Sequence, residues 1–150
     1  MSKVVTLTVH NRRTKKGGRL LRLVTFTRRD SLEAQPGIVS GQSVVPFSDL
    51  GDFSNSLLEF IAEGPDAWQR LHEALKSYAS ESSIKLENVR LLAPIPRPRK
   101  NIVCLGWNYA AHADESARAI GKAVELPQHP VVFTKAPTSI NGPYDDIIYD

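Results

Sequence analysis

Three prolines at alternate positions, Pro94, Pro96 and Pro98, constrain this 150-residue chain more than any other feature. Each lacks a backbone N–H and fixes its own φ, and each biases the residue before it toward extended backbone. The stretch Pro94-Ile-Pro-Arg-Pro98 therefore reads as a stiff extended connector and a domain boundary. Residues 1–92 form one expected unit, and residues 93–150 open another.

Before the connector, strands and amphipathic helices are expected. Residues 3–9 are rich in β-branched side chains, and residues 19–29 alternate along a strand with one moderately apolar face. Pro36-Gly37 reads as a turn, and Gly41-Gln42 as the turn of a hairpin between 38–40 and 43–47. Ser56 followed by Glu59 has the spacing of a capping box at the start of a short helix. Gly64-Pro65 ends that helix and begins a second, whose stripe is Trp68, Leu71, Leu75 and Tyr78. His72 flanks the stripe as a surface residue. The expected class is α+β: a small N-terminal α+β unit, then the truncated start of a β-rich domain.

After the connector comes an apolar run, Ile102-Val-Cys-Leu105, of the length of a buried strand, broken by Gly106. Asn108 can cap the next segment, and Tyr109 to Gly121 is Ala-rich and closes on glycine, as a short helix would. On such a helix His112 and Glu115 share a face, so a base stands beside a carboxylate able to orient it. A solvated helix face is the plainer account of that pair taken alone. Val131-Val-Phe-Thr134 reads as a second buried strand with Lys135 at its end, where scaffolds often present reactive groups. His129 falls in the loop before it, a turn-rich loop spans 138–146, and Ile147-Ile-Tyr149 begins another strand.

Taken in order, Ala-Pro-Ile-Pro-Arg-Pro, Gly-Trp-Asn-Tyr-Ala-Ala-His-Ala-Asp-Glu, Pro-Val-Val-Phe-Thr-Lys and Gly-Pro-Tyr-Asp-Asp resemble the fumarylacetoacetate hydrolase family. The resemblance is firm over residues 91–150 and looser over 19–90. It implies a divalent-metal-dependent enzyme acting on small 2-oxo acids, with Mg²⁺ or Mn²⁺, or Ca²⁺ in their place. The main activity it implies is carbon–carbon bond hydrolysis of acylpyruvate-type substrates, with His112 and Glu115 activating water and Lys135 contacting a carboxylate or oxyanion. Asn108 and Tyr109 would shape the substrate pocket. The alternatives are an isomerase or decarboxylase acting on 2-hydroxy-diene-dioates or oxaloacetate, or a module that binds without catalysis.

The family's carboxylate ligands, a Glu-x-Glu pair and a later Asp, have no counterpart here. Adjacent Asp145 and Asp146 would point to opposite faces of a strand, and read as loop residues. No metal ligand is thus expected within the chain; the ligands would come after Asp150, and the fragment alone would be inactive. The strand before His112 also lacks the carboxylate of fumarylacetoacetase proper, which favours the smaller bacterial and organellar members. The resemblance further implies a homodimer, and strands in 101–150 lacking partners would leave apolar surface exposed.

Composition narrows the rest. The single cysteine, Cys104, excludes a disulfide framework and suits a small core residue in a reducing compartment. No apolar run approaches a membrane span. The first 29 residues hold nine Lys or Arg and no acid, while the remainder holds ten basic against sixteen acidic groups. That opening could suit nucleic acid, an anionic membrane or an organelle-targeting segment, but a solvated tail is the plainest account. No aromatic residues are interleaved for base stacking, so no nucleic-acid or membrane partner is expected. The expected location is cytoplasmic, with mitochondrial as the alternative.

Overall fold

A computed structural model of the protein describes residues 7–9, 21–79, 82–106 and 129–149. Two compact units emerge: Met1–Pro96 with Ile140–Asp150, and Arg97–Ser139.

The first unit is α+β and is built on one strand. β2 (Leu21–Arg28) pairs along one edge with β3 (Gln35–Ser40). Its other edge pairs with β1 (Leu7–Val9) at one end and β6 (Val89–Leu91) at the other. β3 forms a hairpin with β4 (Ser43–Pro46) across Gly41, whose φ of +60° suits a glycine in a two-residue turn. β4 then pairs with β5 (Ile84–Lys85), and a 3₁₀ turn at Leu86–Asn88 leads straight into β6. All these pairings are antiparallel, and the path β2–β3–β4–β5 returns through β6 to β2. The sheet is therefore curled.

That curl explains why residues 23–27 of β2 are all buried, where the sequence suggests a single apolar face. One face of the sheet, with Leu21, Leu23 and Ile38, packs on Phe47, Leu57, Phe60, Ala67 and Leu71. The other, with Val24, Phe26, Val39, Val44 and Leu91, closes on itself against Ile84, Leu86 and Val89. Each fully buried large apolar side chain contributes about 1.5–3 kcal/mol relative to exposure.

The helices follow their sequence signals. α1 (Leu57–Glu63) begins at Ser56, whose Oγ accepts from Glu59 N–H at 3.2 Å. Gly64, at φ +81°, ends α1 and caps α2 (Pro65–Ser77), with Pro65 in its first turn. Tyr78 lies one residue past α2 rather than on its stripe, because the backbone there is already extended. The aromatic rings of Phe47, Phe53, Phe60 and Trp68 stack edge-on or tilted beneath the helices, with centroids 4.7–6.2 Å apart.

Three sequence expectations are corrected. Pro36 and Gly37 lie within β3 instead of forming a turn: Pro36 stands opposite Thr25, and Gly37 opposite both Val24 and Pro46. The apolar runs of the second unit do form strands, β7 (Ile102–Gly106) and β8 (Val131–Lys135), but they are not buried. Val103 is 69% exposed, Leu105 52%, Val132 61% and Phe133 43%. Among the described residues these strands pair only with each other, and a two-stranded ribbon has no layer of its own to cover a face. Cys104 is accordingly half-buried, not sealed in a core. Lastly, Ile147, Ile148 and Tyr149 are exposed and form no strand, since no described strand lies alongside to receive their backbone groups.

Candidate active site

Lys135 is the last residue of β8, the position its sequence suggests, and it is exposed. Across the antiparallel ribbon it faces Ile102, while Phe133 faces Cys104 and Val131 faces Gly106. Directly opposed residues share a face. Lys135 therefore sits on the same side as Phe133, Ile102 and Cys104, and Val103, Leu105, Val132 and Thr134 form the other side. No described carboxylate pairs with Lys135. Among the described residues it is an uncommitted cation on a semi-apolar face.

His112, Glu115, Asn108 and Tyr109 lie outside the described residues.

Asp145 and Asp146 are loop residues, as expected, and they serve the loop itself. Asp145 Oδ2 accepts from Gly142 N–H at 3.1 Å, and Asn141 Nδ2 donates to the carbonyls of Asp145 and Asp146 at 3.1 and 3.2 Å. The other Asp145 oxygen, Oδ1, takes Arg90 Nη2 at 2.6 Å. Among the described residues no three His, Cys, Asp or Glu side chains form a group able to hold a metal ion. The described residues thus do not fit a divalent cation. His129 lies in an exposed bend before β8, and His72 sits half-buried on α2 with Nδ1 2.8 Å from Trp68 O. Neither enters a cluster.

The Arg90–Asp145 pair escapes sequence reasoning, because its members are 55 residues apart and carry no local signal. The backbone of Leu92 and the hydroxyl of Thr25, which pin the start of the connector, escape it for the same reason. Leu92 N–H donates to Thr25 O at 2.9 Å, and Thr25 Oγ1 donates to Pro94 O at 2.7 Å.

Comparison with known proteins adds the chemistry. Residues 101–150 match the family model described as fumarylacetoacetate (FAA) hydrolase, C-terminal. An oxaloacetate tautomerase of Bacillus subtilis (strain 168) is 38% identical over 107 residues, 67% of this chain and 34% of that protein. A mitochondrial oxaloacetate tautomerase of Rattus norvegicus is 36% identical over 136 residues, 87% of this chain and 40% of its own length. Its counterpart in Xenopus laevis is 35% identical over 133 residues, 85% of this chain and 38% of its own length. The chain spans a third to two fifths of the length of these three relatives.

Proposed function

The chain belongs to the fumarylacetoacetate hydrolase family, and from that premise we propose that it serves the keto–enol tautomerisation of oxaloacetate. The observation that carries this is the name shared by relatives aligned with 67–87% of the chain. It favours the isomerase alternative over the acylpyruvate hydrolysis that the motifs first suggest.

The two reactions ask different things of the same residues. Hydrolysis consumes water and breaks a carbon–carbon bond. Tautomerisation moves one proton between C3 and the C2 oxygen and breaks no skeleton bond. It needs a base that takes the C3 proton and a positive group where the enolate charge develops. His112, oriented by Glu115, is the proposed base, and its imidazolium then returns the proton to oxygen. Lys135 is the proposed cation, placed for an enolate oxygen or one of the two substrate carboxylates. Asn108 and Tyr109 are proposed to line the pocket. A divalent cation, Mg²⁺ or Mn²⁺, belongs to the proposal as a partner whose ligands are not among the described residues. The relatives named as mitochondrial support the organellar alternative, while the Bacillus subtilis relative carries no compartment in its name.

The test monitors the ultraviolet absorbance of enol oxaloacetate relaxing to keto in the presence of the chain extended to the length of its relatives, with Mg²⁺ or Mn²⁺ supplied. Faster relaxation with no pyruvate formed is the expected result. Release of pyruvate from oxaloacetate, or cleavage of an acylpyruvate without tautomerisation, would replace this reading with the decarboxylase or hydrolase.

A further inference from the structure

The stretch that carries every candidate catalytic residue departs from one corner of the N-terminal sheet and comes back to that corner. The corner is the β2–β6 pairing, where Thr27 stands opposite Arg90 and Phe26 opposite Leu91. On the way out, Thr25 holds the chain twice, through its carbonyl to Leu92 N–H and through its hydroxyl to Pro94 O. On the way back, Arg90 holds it through Asp145 Oδ1. Thr25 and Thr27 lie two residues apart on β2 and so on one face, and Arg90, opposite Thr27, projects from that face too. The two tethers therefore spring from neighbouring positions.

The receiving end is a formed turn. Gly142 N–H is accepted by both Asn141 Oδ1 and Asp145 Oδ2, and Asp145 N–H reaches Gly142 O at 3.4 Å. A Cβ on Gly142 would collide with the Asp145 carboxylate, so glycine is what lets that carboxylate fold in. One of its oxygens shapes the turn and the other takes the arginine. Such charge-assisted bonds are short and directional.

We propose that Arg90 is a positioning residue, latching the exit of the 97–139 excursion to the sheet corner that already holds its entry. Its effect on catalysis rests on the function proposed above; the latch rests on the contacts alone. The two side chains are 56% and 40% exposed, so the latch is reversible and salt-sensitive.

The experiment compares wild type with Arg90→Ala, Arg90→Lys, Asp145→Asn and the Arg90→Ala/Asp145→Asn double variant, reading protease cleavage within 136–149 and the kinetics on oxaloacetate. Each neutral single variant should speed cleavage roughly two- to five-fold, and the double variant should add nothing further. Raising salt should move wild type, but not the variants, in the same direction. Arg90→Lys should recover part of the protection. Where the protein is active, kcat should fall with KM nearly constant, because the substrate contacts survive while their alignment loosens. Unchanged cleavage in both single variants, or fully additive effects in the double, would overturn the latch. The predicted cleavage pattern in a protein without tautomerase activity would support the latch and overturn the function instead.

Discussion

The ring of Phe26 occupies the space that a side chain on Gly37 would need. A Cβ there would lie 2.8 Å from Phe26 Cε1, 2.8 Å from Val44 Cγ1 and 2.9 Å from the Val45 carbonyl. The carbonyl belongs to the β3–β4 ladder and cannot give way. Gly37→Ala should therefore destabilise the fold by about 1–3 kcal/mol, the usual cost of overpacking. Urea unfolding with an unchanged midpoint would mean that the sheet can open at no cost.

Phe60 is fully buried, with its centroid 4.7 Å from Trp68 and 5.0 Å from Phe47. Phe60→Ala should cost about 3–5 kcal/mol, and Phe60→Leu less, since leucine fills part of the hole. Thermal melts of both variants, ranked in that order, check the prediction.

The Glu63 carboxyl is held below the usual glutamate range, first by the Ser54 hydroxyl and then by Arg70, whose guanidinium lies 2.8 Å away. A depressed pKa adds stability above the unfolded value of about 4.3 and loses it as pH falls through the lower folded value. Glu63→Gln should thus be less stable than wild type at neutral pH, and the two should converge in acid. Denaturant midpoints at a series of pH values test the sign; a gap that widens toward low pH would refute it.

If the proposed tautomerisation is the reaction, Lys135→Met should lower its kcat about 10²–10³-fold while stability stays within about 0.5 kcal/mol. His112→Ala should lower it about 10²–10⁴-fold. Wild-type rates in either variant would remove that residue from the reaction.

The features legible in the sequence are those with local causes. Ser56 with Glu59, Gly64 with Pro65, and Gly41 in its hairpin each act on neighbours within a few residues, so their spacing suffices. Lys135 at the end of β8 is equally readable from a short apolar run. Pro36-Gly37 misleads because a Pro-Gly pair signals a turn locally, while the packing of Phe26 and Val44 on Gly37 is set from strands on either side. β5 and β6 are only two and three residues long, and partners some 40–65 residues away in sequence define them. The exposure of Val103 and Val132 is illegible for another reason: hydrophobicity records what favours burial, not whether these residues supply the cover. Nothing near Arg90 or Asp145 announces their meeting.

The double-edged pairing of β2 also dictates an order of events during synthesis. β3 comes soon after β2 and can zip onto one edge as it emerges from the ribosome, with β4 adding to β3 in turn. The other edge of β2, along Phe26 to Arg28, must wait for Val89–Leu91, and Thr25 finds Pro94 only after a further 69 residues have been made. Through that interval a strand edge bordered by Val24 and Phe26 stands open to any passing extended chain. The nascent protein is at its most vulnerable in the stretch between its fourth and sixth strands, and crowded or slowed translation there should be what sends it toward aggregates.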